Sequence, residues 1–269
     1  MKKSLLLLAM LPAWLAAQNF SYLAGARSAA LAHCSVAFTD IWAGHHNQAG
    51  LAFLEKPSTG ISLEKRYFLH DLNLAQASFA YPGEWGSLGL SFSYFGFELY
   101  NQSKLGLNYA RAFGKYFSLG LQINYHQFYV SEGSGNGGAV SFETGFIAKP
   151  IPKLAIGFHL FNPSKNYQNS QTNQRLPLIG RMGAHYKFSE STGLSIEVRK
   201  NMAALREAYA LGLEYAFLKN LWLRTGVGLQ PFRNTFGLGL DFDDFTADLS
   251  YEYAQVLGSN ANLSLQYAF

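Results

Sequence analysis

Leu119-Gly120-Leu121-Gln122-Ile123-Asn124-Tyr125-His126 carries apolar side chains at its odd positions and small or polar ones at its even positions. Successive side chains of a β-strand point to opposite faces, so this stretch has one greasy side and one wet side. The same period of two runs through Phe245-Thr246-Ala247-Asp248-Leu249-Ser250-Tyr251-Glu252-Tyr253, Leu194-Ser195-Ile196-Glu197-Val198-Arg199, Tyr209-Ala210-Leu211-Gly212-Leu213-Glu214-Tyr215 and Leu263-Ser264-Leu265-Gln266-Tyr267. A soluble sandwich would turn the apolar face inward, whereas a barrel in lipid turns it outward.

Three features favour lipid. Counting from Ser58, the links Pro82-Gly83-Glu84-Trp85, Phe113-Gly114-Lys115, Pro150-Ile151-Pro152, Ser189-Glu190-Ser191, Leu218-Lys219-Asn220 and Asp243-Asp244 read as tight turns. They alternate with mostly longer polar links at Tyr100-Asn101-Gln102, Glu132-Gly133-Ser134-Gly135-Asn136-Gly137, residues 162–175 and Leu257-Gly258-Ser259-Asn260. Short turns at one end and longer loops at the other are the habit of outer-membrane barrels. Many segments also reach about ten residues, the length of a tilted transmembrane strand. Finally, Asn262-Leu263-Ser264-Leu265-Gln266-Tyr267-Ala268-Phe269 alternates to a terminal aromatic and resembles the carboxy-terminal signal read by the barrel-assembly machinery. The expected fold is an all-β membrane protein, an antiparallel transmembrane β-barrel of about fourteen strands over residues 57–269. An even count puts both barrel ends on the short-turn side, with both termini expected in the periplasm.

The leader agrees. Lys2 and Lys3 precede an apolar run at residues 5–11 and a small-residue site, Leu15-Ala16-Ala17, before Gln18. This reads as a signal peptide over residues 1–17, since the run is shorter than the roughly 20 residues of a spanning helix. The residue immediately after the cleavage site is Gln18 and not a cysteine, which argues against a lipoprotein anchor. Removing the two lysines lowers the formal charge from +4 to +2, so the basic balance is no argument for a nucleic-acid partner. Cys34 stands alone and forms no internal disulfide. An aromatic content of 16% beside only 14% charged residues suits strands that face lipid, with rings at the interfaces.

If the apolar face meets lipid, the lumen receives Gln122, Asn124, His126, Glu143, Arg181, His185, Lys187, Glu197, Arg199, Glu214, Arg224, Asp248 and Glu252. Both signs are present, and ionisable groups at membrane depth pair with each other or meet water. A lumen salt-bridge network is therefore expected among Glu143, Arg181, Lys187, Glu197, Arg199, Glu214, Arg224, Asp248 and Glu252. Gly106, Gly120, Gly212, Gly226 and Gly228 share that face and leave room for a filler. The candidate filler is residues 18–56. Its stretches Gly25-Ala26-Arg27-Ser28-Ala29-Ala30-Leu31-Ala32 and Val36-Ala37-Phe38-Thr39-Asp40-Ile41-Trp42-Ala43 are Ala-rich, lack sustained alternation and are too apolar to hang free in water. A hatch of short helices and turns, plugging the barrel from the periplasmic side, is expected.

Gly25-Ala26-Arg27-Ser28-Ala29-Ala30-Leu31, Ser35-Val36-Ala37-Phe38-Thr39-Asp40 and Asn47-Gln48-Ala49-Gly50-Leu51 together resemble the amino-terminal signature of the PorV/PorQ group, in the wider superfamily of the fatty-acid transporter FadL. The resemblance implies a fourteen-stranded barrel with an amino-terminal hatch. In FadL-type members it also implies a gated path for hydrophobic molecules. In PorV and PorQ it implies partnership with the type IX secretion or surface-attachment machinery of Bacteroidetes. Gln48 stands where the family has Pro, which frees φ and restores a backbone donor; His33-Cys34 replaces small glycines. The expected hatch and gating residues are Arg27, Asp40, Asn47 and Gly50, with Phe38, Ile41, Trp42, Leu51 and Phe53 as apolar ligand contacts.

Other chemistry is weakly signalled. His45-His46 with Asp40 lacks a further ligand at metal-site spacing, so neither a metal nor another cofactor is expected. Gly133-Ser134-Gly135-Asn136-Gly137-Gly138 has no Lys-Ser/Thr ending and is no phosphate loop. Asp241, Asp243 and Asp244 lack the Gly and terminal Glu of a calcium loop. His126 and His159 fall on the lumen face, away from any external triad, and no enzyme activity is expected. Two readings stand: an accessory or scaffold barrel of a secretion or attachment system, and a transporter of hydrophobic small molecules. A charged lumen favours the first, and the apolar hatch favours the second. Outer-membrane lipid is a partner in both.

Overall fold

The structure, a computed structural model, describes residues 22–69, 71–131, 137–164, 167–169, 174–255 and 258–269. The leader at 1–17 and most of the glycine-rich link at 132–137 lie outside the described residues, as do 18–21 and parts of the 162–175 loop. Ahead of the barrel come two short α-helices, α1 (Ala26–Ala30) and α2 (Ala43–His46), and a 3₁₀ segment, Gln48–Phe53. The strands are β1 (Ser58–Arg66), β2 (Asn73–Gly83), β3 (Gly86–Phe97), β4 (Tyr100–Phe113), β5 (Phe117–Val130), β6 (Gly137–Ile151), β7 (Leu154–Phe161), β8 (Tyr167–Asn169), β9 (Gln174–Arg175), β10 (Ile179–Ser189), β11 (Thr192–Asn201), β12 (Ala208–Leu218), β13 (Leu221–Leu229), β14 (Arg233–Phe242), β15 (Phe245–Ala254) and β16 (Gly258–Ala268).

All but β8 and β9 form one closed, antiparallel, fourteen-stranded barrel. Closure is made by β1 on β16, from Ser58↔Ala268 to Arg66↔Asn260. It leaves no unpaired edge, the condition for a sheet to live in hydrocarbon. The small β8–β9 hairpin sits in the long 162–175 link, where the sequence showed only a polar loop.

The pleat is inside-out relative to a soluble protein. On β5, Leu119, Leu121, Ile123 and Tyr125 are about half exposed, while Gln122, Asn124 and His126 are buried. Rings gather near the short turns: Trp85 stacks on Tyr109, Phe113 on Phe117, and Tyr267 meets Phe269 edge-on. Such a girdle marks a membrane interface. All six short turns join the consecutive strands the alternation indicated, with ladder irregularities in three hairpins: β6–β7, β10–β11 and β12–β13. Two links differ: Tyr100, Asn101 and Gln102 belong to β4 and pair with β3, so the turn is Glu98-Leu99, and Gly258, Ser259 and Asn260 belong to β16 and pair with β15.

The two ends of the described chain lie apart. The barrel's first and last strands begin and end at the short turns, where Phe269 N–H donates to Pro57 O. Tyr22 lies at the long-link end instead. Its hydroxyl donates to Gln102, its ring packs on Phe95, and the Arg66 guanidinium covers it. The hatch therefore runs the length of the lumen; Gln18, the amino terminus expected once the leader is removed, lies outside the described residues.

Candidate functional site

The hatch is seated on glycines. A Cβ on Gly212 would lie 2.7 Å from Leu31 Cβ, and one on Gly226 would lie 2.6 Å from Ala32 N. Side chains at Gly120, Gly145, Gly157 and Gly237 would collide with Gln48-Ala49, Asn47, Val36 and Ala30 respectively. The inward face of six strands has been reduced to backbone where the plug passes. Trp42, 1% exposed, stands between Gly25 and Gly60, whose added Cβ atoms would come within 2.8 and 2.9 Å of its indole. Gly25 also has φ +83°, a conformation that side-chain-bearing residues avoid.

The signature residues each close a local geometry. Asn47 Nδ2 donates to Val36 O (2.7 Å) and to Phe146 O of β6 (3.1 Å), while its Oδ1 accepts from Ala49 N–H. It ties two parts of the hatch to the wall. Gly50 passes so close to Phe38 O and Ala43 that no side chain fits. Gln48, at the position where the family pattern has Pro, donates from Nε2 to Gln122 and to Glu143 Oε2 (3.0 Å). A proline could make neither bond.

Charge holds the hatch to the wall in two places. Arg27 bridges Asp40 (3.2 Å) within the hatch and Glu214 (2.8 Å) on β12; Arg224 then links Glu214 (3.3 Å) to Asp248 (2.5 Å). Asp40 Oδ1 accepts from Trp42 N–H, so one carboxylate sets both the ion pair and the start of α2. Burial raises the Asp40 carboxyl above its usual range, partly offset by Arg27. On the other side, Glu197 Oε2 accepts from Ser35 N–H (2.9 Å) and Val36 N–H (3.0 Å), while Arg181 donates to both Glu197 oxygens. Arg181 continues to His46 O (2.9 Å) and Ser35 Oγ (2.9 Å). Charge-assisted bonds of this kind are the strong ones, and breaking one member leaves a buried charge alone.

A third polar group centres on Glu143, which receives Lys104 (3.0 Å), His159 (2.9 Å), Asn124 and Gln48. Glu252 lies within 3.6 Å of His33 and 4.0 Å of Arg233. Arg199 sits opposite Arg181 in the ladder, and its buried Nη2 has no partner among the described residues. Lys187 points inward but is exposed at the short-turn mouth, with no ion pair among the described residues. Ser35, Lys104 and Thr235, which caps α1 by donating to Ala30 O (2.6 Å), were not singled out in the sequence. Inward parity on their strands would have flagged Lys104 and Thr235; nothing local marks Ser35.

The five apolar residues do not form one surface. Ile41, Trp42 and Leu51 pack with Ala24, Ala43, Ala80 and Ala110 in a buried cluster. Phe38 faces the short-turn mouth, edge-on to His185 and beneath Arg27. Phe53 is half-buried there under the Lys149 ammonium. The adjacent histidines diverge: His45 reaches Ala77 O, and His46 reaches Ala24 O. Burial pushes His45 down to about 3 and His46 well below its ordinary value, so both are neutral.

A closed antiparallel barrel with its lumen filled by a polar-anchored amino-terminal hatch defines the class. No family model matches the chain, and no curated protein matches it. Among solved structures it is similar to the CymD monoaromatic hydrocarbon channel, at 13% identity and TM-score 0.70 over 91% of this chain and 97% of that one. It is likewise similar to a Pseudomonas aeruginosa FadL homologue (12%, TM-score 0.66, 91% and 98% coverage) and to the Ralstonia pickettii toluene transporter TbuX (12%, TM-score 0.66, 91% and 98%). At such identity the likeness establishes a shared FadL-like barrel fold.

Proposed function

We propose that this chain is an outer-membrane barrel through which small hydrophobic molecules pass under control of the hatch. Its first 17 residues act as a removed leader, residues 18–56 as the hatch and residues 57–269 as the barrel. The short-turn end faces the periplasm. The observation that carries the reading is the mode of plugging. A segment with an apolar cluster at Ile41, Trp42 and Leu51 is seated on bare glycine backbone and held mainly at polar anchors. Such a plug can shift as a unit when its anchors loosen, whereas a lumen filled by the wall's own side chains cannot. The full-length fold similarity to proteins named as hydrocarbon channels and a toluene transporter supports the same reading. Arg27, Asp40, Asn47 and Gly50 are proposed to set the closed position.

The test is uptake of radiolabelled toluene by cells that lack their own hydrocarbon barrels and express either this chain or a form with Asn47→Ala and Asp40→Asn. Uptake above the empty-vector rate, altered by the hatch variant, supports passage. Uptake at the vector rate by protein that is folded in the outer membrane would overturn it.

The accessory reading places the same plugged barrel in a secretion or attachment complex, with the hatch permanently closed. Its support is the Gly-Ala-Arg and Asn-x-x-Gly-Leu resemblance and the dense polar packing of the lumen. Copurification of stoichiometric protein partners from the native membrane, with no hydrocarbon uptake, would put it ahead.

A further inference from the structure

Lys149, Lys153 and Lys187 occupy inward positions at the same end of three neighbouring strands, β6, β7 and β10, or the turn between them. Lys187 N–H donates to Lys153 O, so these two lie directly across the ladder from each other. Like charges placed so are unfavourable unless something lies between them. The cause of the local shape is in the sequence: Pro150 and Pro152 cannot donate to a ladder, and the β6–β7 register shifts between Ala148 and Ile151.

These lysines line a cavity of about 300 Å³ at the short-turn mouth. Its apolar lining is Phe38, Ala37, Leu154, Ala155 and Pro152. Its one carboxylate, Asp40, is engaged by Arg27. His185 also faces it. Lys187 and Arg27 are shared with an adjoining cavity that contains Glu190, Glu214, Asp241 and Asp248, of which Glu214 is already held by Arg27 and Arg224. Lys149 rests its ammonium over the Phe53 ring and Lys153 reaches only Phe188 O, at 3.5 Å. Within this cavity the three lysines thus stand above an apolar floor with no carboxylate except the one Arg27 holds, Glu190 and Asp241 lying in the adjoining cavity. A cavity of about 150 Å³ suffices for benzene, so this one suits a body of one or two rings rather than a long chain.

We infer that this cavity is a binding site for a compact aromatic or alicyclic carboxylate, with the ring body on Phe38 and Leu154 and the carboxylate between Lys153, Lys187 and Lys149. The inference deepens the passage reading by assigning the periplasmic mouth an anionic ligand class that a neutral hydrocarbon path does not need.

The test compares 2-naphthoate with its neutral counterpart 2-naphthylmethanol, by equilibrium dialysis against the full barrel in phosphatidylcholine nanodiscs, with empty nanodiscs subtracted. The barrel is expected to bind naphthoate at least tenfold more tightly than the alcohol. Lys153→Gln with Lys187→Gln, both exposed positions, removes that preference and leaves alcohol binding unchanged, while the double Arg variant retains it. Equal binding of the two probes, or a preference that survives the double Gln change, overturns the site. Displacement of naphthoate by phosphatidylglycerol added to the nanodiscs would assign the lysines to a lipid phosphate and also overturn it. Because binding is read without transport, equal binding of the two probes by a parent barrel that carries toluene defeats this inference alone. A barrel that binds naphthoate but carries no toluene defeats only the passage reading.

Discussion

Glu197→Gln tests the anchoring of the hatch most directly. The carboxylate accepts four bonds: Arg181 Nε on Oε1 (2.7 Å), and Arg181 Nη2 (3.0 Å), Ser35 N–H (2.9 Å) and Val36 N–H (3.0 Å) on Oε2. An amide keeps the shape but offers only one oxygen. Turned to preserve the three bonds on Oε2, it faces Arg181 Nε with a donor and leaves that buried guanidinium without a counter-charge. Bonds to a charged acceptor contribute about 1.5–3 kcal/mol and neutral ones about 0.5–1.5, so the two hatch bonds lose about 1 kcal/mol each. The unbalanced Arg181, which also holds His46 O and Ser35 Oγ, adds about 1 kcal/mol more. Hatch docking should weaken by about 3 kcal/mol, roughly a hundredfold in the open population at 1.4 kcal/mol per decade. The reporter is built in: Cys34, the only cysteine of the chain, is buried in the hatch beside Ser35. Its maleimide labelling in detergent-purified barrel should accelerate about a hundredfold while the barrel keeps its heat-modifiable gel mobility. Lys56→Gln, which breaks only the exposed pair with Asp244, should leave the rate unchanged. A Glu197→Gln rate within threefold of the parent, in a folded barrel, would refute the claim that this carboxylate anchors the hatch.

Further outcomes follow from the same contacts. Gly212→Val puts atoms where Leu31 lies, so the hatch should be expelled from an otherwise closed barrel, read as single-channel conductance in planar bilayers that the parent does not show. Trp42→Ala empties the slot between Gly25 and Gly60 and should cost about 3–5 kcal/mol of hatch packing, seen as faster proteolysis within residues 22–54. Acid should also release the hatch. His33, His45 and His46 are held neutral by burial, helped by Arg233, Lys104 and Arg181 respectively, but take up a proton below about pH 6.5 once freed. The undocked state therefore binds more protons, and docking weakens as pH falls from about 6.5 toward 3, by up to about 1.4 kcal/mol per pH unit for each histidine. Asp40, raised by burial, works with the opposite sign and blunts the effect. Cys34 labelling with 4,4′-dithiodipyridine, which reacts with thiols in acid, should speed up between pH 7 and 5; a flat profile would show that the histidines stay buried when the hatch moves.

The barrel was legible in the sequence because the lipid imposes a rule on each residue separately. Every outward position of a spanning strand must be apolar, so Leu119, Leu121 and Ile123 declare the strand and its facing without any knowledge of their neighbours. Inward parity likewise placed Glu143, Arg181, Glu197 and Glu214 in the lumen. What parity cannot supply is the pairing across the lumen, since that depends on how far the strands tilt and where the plug lies. Glu143 takes Lys104 and His159 rather than an arginine, Arg199 is left facing Arg181, and Lys187 projects into the mouth beyond the network. The hatch shows the same division. Its glycines and Asn47 stood out as a motif, but their reasons lie with distant partners: Trp42 against Gly60, Asn47 against Phe146 O, Gly50 against Phe38 O. A hatch has no repeating environment, so no period in its sequence records its path. Tyr22 could be found at the long-link end only once the chain had been threaded through the closed barrel.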